Sequence, residues 1–245
     1  IYEKMTSLTW FPWVAIAVYY VAIFSGKAIM KDKKSLEWRT AMAIWNLGLA
    51  TFSFIGTMRL LPYSLHILLN NNVQDIFCHD ARSTFAGGAT GLWVQLFALS
   101  KFPELIDTFF ILIHKKKLIF LHWYHHMSVV IMAWFSYTSA QPIGIHFCLM
   151  NYAIHAMMYF YYFLMTIKKH PKWFNPMVIT FFQVAQMFVG VGTTLAGFYF
   201  NKTIPSCNLS VNNMALVTFV YGSYLCLFCQ FFAKRYFFKV KTTKK

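Results

Sequence analysis

Long apolar blocks separated by short polar segments run along the whole chain. Each block holds about 20 residues, the length an α-helix needs to cross about 30 Å of hydrocarbon. The 245 residues are 58% hydrophobic and only 12% charged, whereas soluble domains carry about 25% charged residues. The pattern predicts an all-α integral membrane protein, a single transmembrane domain over residues 1–245. Its seven transmembrane helices are predicted at residues 8–25, 40–58, 88–113, 118–137, 143–166, 174–200 and 214–233.

The distribution of basic residues supports seven spans and gives them an orientation. With these spans, 17 of the 22 Lys and Arg residues lie on one side and four on the other, while Lys101 lies inside the third span. Basic loops stay in the cytosol, so the N-terminus is expected outside the cytosol and the C-terminus inside it. The net charge of +15 follows from this topology and from anionic lipid near residues 234–245, so nucleic acid is not an expected partner.

The non-cytosolic side carries two features of an oxidising compartment. Two glycosylation sequons begin at Asn201 and Asn208, and both fall in the loop after the sixth span. Cys78 and Cys207 fall in loops on the same side, where disulfides persist. We expect them to form a disulfide, and the alternative is two free thiols that share a compartment.

A histidine cluster lies within the fourth predicted span. His122, His125 and His126 are spaced i, i+3 and i+4, so their imidazoles share one helical face. Ionisable groups inside a bilayer are costly and mark functional sites. His155 in the fifth span lies at a matching depth, and we expect the four histidines to share a site.

Other polar residues in the spans lie at similar depths from the cytosolic end, taking about 1.5 Å of rise per residue. They predict one buried polar cavity that opens toward the cytosol. Structural explanations are also open: an ion pair in the third span, interhelical hydrogen bonds in the sixth and an aromatic belt in the fifth. The residues are Lys101, Glu104, Asp107, Asn151, Tyr159, Tyr162, Thr180, Gln183 and Gln186.

Clustered histidines in a membrane enzyme favour one of two chemistries. Neutral imidazole is the commonest metal ligand, and metal-dependent membrane desaturases and hydroxylases use a similar histidine box. Those enzymes need about eight histidines in three boxes, whereas this chain has one box. The second chemistry is nucleophilic or acid–base work by imidazole itself, in a dry cavity that protects an acyl-imidazole from water. A seven-span receptor or transporter is a third hypothesis, in which the histidines are dispensable.

Four short motifs carry most of these polar residues. They are Lys101-Phe-Pro-Glu104-Leu-Ile-Asp107-Thr108, His122-Trp-Tyr-His125-His126, Asn151-Tyr-Ala-Ile-His155-Ala-Met-Met158-Tyr159-Phe-Tyr161-Tyr162 and Thr180-Phe-Phe-Gln183-Val-Ala-Gln186. In order and spacing they resemble the signature motifs of the ELO family of fatty acid elongases. Trp123 and Tyr124 within the box resemble the branch that elongates saturated and monounsaturated chains.

The resemblance implies a 3-oxoacyl-CoA synthase of the endoplasmic reticulum membrane. Such an enzyme condenses a long-chain acyl-CoA with malonyl-CoA, releases CoA and CO₂, and needs no metal or organic cofactor. The family's fold has spans two to seven as a six-helix barrel of two inverted three-helix units around a tunnel, with the first span outside. Other elongation-cycle enzymes and a second copy of the chain are further expected partners.

We expect a ping-pong mechanism in which His125 carries the acyl group. His122, His126 and His155 would orient it, polarise carbonyls and shuttle protons, while Asp107 would orient an imidazole. The remaining polar residues of the motifs would bind substrate. The family's dilysine retrieval signal fits Lys244-Lys245 only if two residues follow, so the location rests on the resemblance.

Overall fold

The computed structural model describes residues 2–84 and 87–237, and within them all regular structure is helical. The predicted basic residues Lys239, Lys241, Lys244 and Lys245 lie outside the described residues. The helices are α1 (Tyr2–Ser7), α2 (Phe11–Met30), α3 (Arg39–Asn70), α4 (Val73–Cys78), α5 (Ala81–Thr84), α6 (Gly88–Ser100), α7 (Ile106–Ile113), α8 (Phe120–Thr138), α9 (Gly144–Thr166), α10 (Pro176–Thr203) and α11 (Val211–Phe232), with a 3₁₀ turn at Pro103–Leu105 and a π-helical turn at Ala233–Phe237.

Within the described residues, four helices are long and apolar enough to cross a membrane. They are α2, α3, α10 and the continuous helix Val211–Phe237 that α11 forms with the π turn. Large apolar side chains such as Trp13, Val18 and Val21 lie exposed on α2, as expected of a helix that faces lipid rather than water. The chain is therefore an integral, multi-pass helical membrane protein.

The helix at the second predicted span is longer than that span. The span was predicted to end at residue 58, whereas α3 continues through Pro62 to Asn70. Polar residues such as Arg59 marked the end of the apolar block, but the helix continues because Leu60 and Ser64 are completely buried. α3 packs along α9 over much of its length, so tertiary contacts extend the helix beyond its hydrophobic stretch.

The third predicted span, residues 88–113, is not one continuous helix. α6 ends at Ser100, a 3₁₀ turn follows at Pro103–Leu105, and α7 begins at Ile106. Proline has no N–H to donate and its ring clashes with the preceding turn, so Pro103 interrupts the α-helix. The interruption lies at the charged residues of this span and turns Lys101 and Glu104 inward.

The helices pack in a cyclic order. α3 packs against α9 and α6, α6 against α8, α8 against α11, α11 against α10, and α10 against α9. α2 is not part of this cycle and packs against α7 and α8. A cavity enclosed by this ring of helices is therefore lined by several of them.

The predicted disulfide between Cys78 and Cys207 is present. It ties the end of α4 to the segment between α10 and α11, and the Asn208 amide donates a hydrogen bond to the Cys78 carbonyl over 3.3 Å. We call this end of the helices the cysteine end. The opposite end, at the turn before α8 with Lys115, is called the histidine end.

Candidate active site

A buried ion pair lies at the interruption between α6 and α7. The Lys101 ammonium donates to Glu104 Oε1 over 2.6 Å and to Asn151 Oδ1 of α9 over 3.1 Å. Lys101 and Glu104 are 1% and 3% exposed, and the ammonium also lies 4.4 Å from the Phe97 ring centroid. A buried charge requires such partners because desolvation costs several kcal/mol per ion.

Asp107 does not orient an imidazole, in contrast to the sequence-based expectation. One of its carboxylate oxygens accepts the Tyr159 hydroxyl proton over 2.6 Å, and the other accepts the Trp45 indole N–H over 2.7 Å. Both oxygens are occupied because α3 and α9 approach α7 from two sides. The carboxylate beside an imidazole is instead Glu104, whose Oε2 lies 3.7 Å from His155 Nδ1.

The histidines of α8 lie on adjoining surfaces of one helix. The ring centroids of His122 and His126 are 4.4 Å apart, and those of His125 and His126 are 5.6 Å apart. His122 Nε2 forms a 2.9 Å hydrogen bond with the Thr108 hydroxyl, which also bonds to the Tyr19 hydroxyl of α2. His122 is thus held by a chain of polar contacts across three helices.

The His125 ring is held mainly by aromatic neighbours. Its centroid lies 4.8 Å from that of Tyr224 and 6.3 Å from that of Phe228, both on α11. The Tyr224 hydroxyl donates to the His125 carbonyl over 3.0 Å and bonds to Ser128. His125 is also within electrostatic range of His155 on α9, so the cluster extends over α8, α9 and α11.

Three buried polar atoms of the cluster have no hydrogen-bond partner among the residues that the structure describes. They are His126 Nδ1, His155 Nδ1 and Glu104 Oε2, and their side chains are each less than a tenth exposed. An unsatisfied buried polar group costs about 1–3 kcal/mol, so such atoms require an explanation in any native structure. Here they come from three elements at one depth and can bond a polar group that enters between them.

The other predicted site residues lie around this cluster rather than in it. The Gln183 amide lies 3.3 Å from Met158 Sδ, and buried Gln186 lies beside the Tyr221 hydroxyl with its own Nε2 unpartnered. Tyr162 contacts the Tyr159 ring at 6.4 Å between centroids. Asn151 accepts from Lys101, whereas the site roles predicted for these residues stay predictions, because depth alone does not give the direction of a side chain.

An apolar cavity of about 330 Å³ runs from this cluster toward the cysteine end. It is lined by side chains of α6, α8, α9 and α11, among them Phe97, Val129, Met132 and Val217. Asn151, which accepts from Lys101, also lines the cavity and so joins it to the polar cluster. The polar cavity that the sequence predicts toward the cytosol stays a prediction, whereas the cavity described here is apolar.

A close approach of α10 and α11 shapes the wall of this cavity. A Cβ atom at Gly190 would lie 2.1 Å from the Tyr221 ring, which lines the cavity. Only glycine allows the two helices to approach so closely at this position.

Comparisons with known proteins identify the family. The profile described as "ELO: GNS1/SUR4 family" matches residues 4–245. The chain belongs to the ELO family. It is 39% identical to very long chain fatty acid elongase 6 of Drosophila melanogaster over 89% of this chain and 70% of that protein. The elongase 6 of Gallus gallus and that of Homo sapiens are 38% and 36% identical, each over 94% of this chain and 85% of the relative.

The described residues of this ELO protein do not support the metal-site hypothesis. Among residues 2–84 and 87–237, no three side chains of His, Cys, Asp or Glu are arranged to hold a metal ion. The four histidines of the cluster contact hydroxyls, aromatic rings and one carboxylate instead. What this arrangement can do chemically is donate, accept and transfer protons, or attack a carbonyl group.

Several residues of the ELO site were not identified from the sequence. Tyr19 of α2 bonds to Thr108, and Trp45 of α3 donates to Asp107. Tyr224 of α11 donates to the backbone carbonyl of His125. Each is an aromatic side chain with a polar tip in an apolar span, where packing is the default interpretation. Only knowledge of which helices touch would have assigned them to the site.

Proposed function

We propose that this ELO-family chain is a condensing enzyme of fatty acid elongation, a 3-oxoacyl-CoA synthase. It joins a long-chain acyl-CoA to malonyl-CoA and gives 3-oxoacyl-CoA, CoA and CO₂. The observation that carries this proposal is that Asn151, which accepts a hydrogen bond from the buried Lys101 of the polar cluster, also lines the apolar cavity. The relatives named very long chain fatty acid elongase support the same substrate class.

The cavity and the basic residues give the substrate its direction. The acyl chain lies in the apolar cavity, because burying each methylene stabilises by about 0.8 kcal/mol. The thioester then lies among Lys101, Asn151 and the histidines. The CoA phosphates face the histidine end, where Lys115 and the neighbouring Lys116 and Lys117 supply positive charge.

In the first half-reaction, an imidazole nitrogen of His125 attacks the thioester carbonyl carbon. The carbon–sulfur bond breaks, the acyl group remains on His125 as an acyl-imidazole, and CoA leaves as the thiol after taking the imidazole proton. The unpartnered Nδ1 atoms of His126 and His155 lie within the cluster and relay this proton. His122 is held by Thr108 and acts as a positioning residue.

In the second half-reaction, malonyl-CoA releases CO₂ and its C2 carbanion attacks the acyl carbon. The carbon–nitrogen bond to His125 breaks and gives 3-oxoacyl-CoA, and the departing ring takes up one proton from water, which restores the neutral imidazole. The Lys101 ammonium is held by Glu104 and Asn151 at the end of the cavity, and it stabilises the negative charge that develops on the carbonyl oxygen. Gln183, Gln186, Tyr159 and Tyr162 shape the surrounding site.

We propose that α2, α3, the α6–α7 segment, α8, α9, α10 and α11 all cross the membrane as one domain. The last six form a six-helix barrel of two inverted three-helix units around the cavity, with α2 outside; their cyclic contact order supports this. The disulfide Cys78–Cys207 favours an oxidising lumen at the cysteine end. The N-terminus is then lumenal and the C-terminus cytosolic, in the endoplasmic reticulum.

The test uses purified wild-type protein and His125→Ala, each incubated with palmitoyl-CoA alone. Intact mass and free CoA are then measured. We expect wild type to gain one acyl mass with release of CoA, and His125→Ala to gain none. His66→Ala changes an exposed histidine of α3 that has no role in the proposed mechanism, and this control is expected to keep the adduct.

Two results would contradict parts of this proposal. Condensation with malonyl-CoA but no adduct would replace the ping-pong mechanism by a single ternary step. No acyl-CoA-dependent release of CO₂ from labelled malonyl-CoA by wild type would reject the synthase itself.

A further inference from the structure

The far end of the apolar cavity is covered by a polar cap, which we define as Tyr2 of α1 and Arg82 of α5. Both side chains line the cavity at the cysteine end. Arg82 donates to the Tyr2 hydroxyl over 2.8 Å, and its guanidinium carbon lies 5.3 Å from the Tyr2 ring centroid. The cap thus joins two segments that are distant in sequence.

The cap is also attached to the cavity wall. The Tyr2 hydroxyl donates to the Thr138 carbonyl over 2.7 Å, and its ring lies edge-on to Tyr137 at 5.6 Å between centroids. Both partners end α8, the helix that carries the histidine box. The position of Tyr2 is therefore fixed relative to the proposed nucleophile by one continuous helix.

The short helix α1 is anchored as well. Met5 is 3% exposed and belongs to the same apolar cluster as Phe97 of the cavity wall. The Gln95 amide lies 3.9 Å from Met5 Sδ. By contrast, Lys4 of the same helix is exposed, so one face of α1 is buried and the other is not.

We propose that the cap sets the upper limit of acyl chain length, an inference that rests on the proposed synthase function. Along α9, His155 of the cluster and Gly144 at the outer end of the cavity wall are about 16 Å apart at 1.5 Å per residue. An acyl chain attached within the histidine cluster extends along this wall and ends against Tyr2. A longer chain must displace Tyr2.

The physical basis of the limit is a change from apolar to polar surroundings. Below the cap, the wall offers Val129, Met132 and Val217 to a methylene chain. At the cap, Tyr2, Arg82 and the buried Gln141, whose Oε1 has no partner, offer polar atoms instead. An additional pair of methylenes there gains little burial and breaks the hydrogen bonds of Tyr2.

The experiment measures kcat/KM of condensation for a series of saturated acyl-CoA substrates, each two carbons longer than the one before. Wild type, Tyr2→Ala and Arg82→Ala are compared with labelled malonyl-CoA. For the first acyl-CoA beyond the wild-type limit, we expect kcat/KM relative to palmitoyl-CoA to rise about tenfold in Tyr2→Ala, the discrimination that a hydrophobic pocket gives per methylene. Arg82→Ala is expected to shift the same limit to a smaller extent.

Three further variants serve as controls for this result. Lys4→Ala changes an exposed residue of the same helix and is expected to leave the series unchanged. Met132→Phe fills the cavity below the cap and is expected to shift the limit toward shorter chains. Tyr2→Phe keeps the ring but loses both hydrogen bonds, so it tests the cap even if Tyr2→Ala fails to fold.

Failure of the inference and failure of the proposed function give different results. If wild type condenses acyl-CoA but Tyr2→Phe and Arg82→Ala keep its length limit, the cap does not set the limit. If wild type releases no CO₂ with any member of the series, the synthase proposal is rejected instead.

Discussion

The two ends of the molecule are built from different interactions. At the histidine end, Lys101 reaches Glu104 over 2.6 Å and Tyr159 reaches Asp107 over 2.6 Å, and these bonds connect α6, α7 and α9. Toward the cysteine end, the same helices enclose a cavity lined by residues such as Val129 and Val217. Hydrogen bonds fix individual atoms, whereas apolar contacts fix only a volume. Catalysis requires atoms at fixed positions, whereas a chain of methylenes requires only an apolar volume.

The largest effect is expected from breaking the ion pair at the histidine end. Lys101→Met leaves the Glu104 carboxylate buried without its cation, which lowers the free energy of unfolding by about 3–5 kcal/mol. Thermal unfolding in detergent measures this loss. The double variant Lys101→Met with Glu104→Leu removes both charges and is expected to recover most of the stability but no condensing activity. Equal instability of the single and double variants would contradict the ion-pair explanation.

A smaller effect is expected from filling space at the other end. In Gly190→Ala, the new methyl group overlaps the Tyr221 ring, and overpacking of this kind costs about 1–3 kcal/mol. Gly192→Ala, two residues further along α10, meets no atom within 4 Å and serves as the control. We expect only Gly190→Ala to lower the unfolding temperature and to change the acyl chain lengths accepted. Equal behaviour of both variants would mean that the close approach of α10 and α11 is not needed.

An effect of similar size is expected to separate two nearby tyrosines of α9. Tyr159→Phe leaves one Asp107 oxygen without its donor, which costs about 1–3 kcal/mol for a buried acceptor. Tyr162 is 45% exposed, so Tyr162→Phe is expected to change stability by less than about 0.5 kcal/mol. Unfolding in detergent and condensation rates of the two variants make the comparison. A larger effect of Tyr162→Phe would show that Tyr159 is not the tyrosine that holds Asp107.

Sequence reasoning worked where a periodic pattern and a structural constraint coincide. Residues 122, 125 and 126 share a surface because helical geometry leaves no other arrangement. Cys78 and Cys207 were predicted to pair because both fall on one side of the membrane, and they do pair. Apolar blocks likewise gave helices near residues 118–137 and 143–166, which α8 and α9 match closely.

The sequence failed where the outcome depends on which helices meet. No sequence pattern identifies the partners of Asp107, since Trp45 is 62 residues away and Tyr159 is 52 residues away. The extension of α3 to Asn70 depends on packing against α9, which hydropathy does not measure. The apolar cavity and its cap at Tyr2 also arise only when α1, α8 and α9 come together.

Among the described residues, the helices both long and apolar enough to cross a membrane are the first two and the last two long ones, α2, α3, α10 and α11 with its π turn. Most of the polar cluster lies between them along the chain, on α6 to α9. Charged and polar residues lower the tendency of a single helix to insert into the bilayer. Under the proposed topology, we therefore expect the central helices to insert together, with Lys101 paired to Glu104 before it meets lipid.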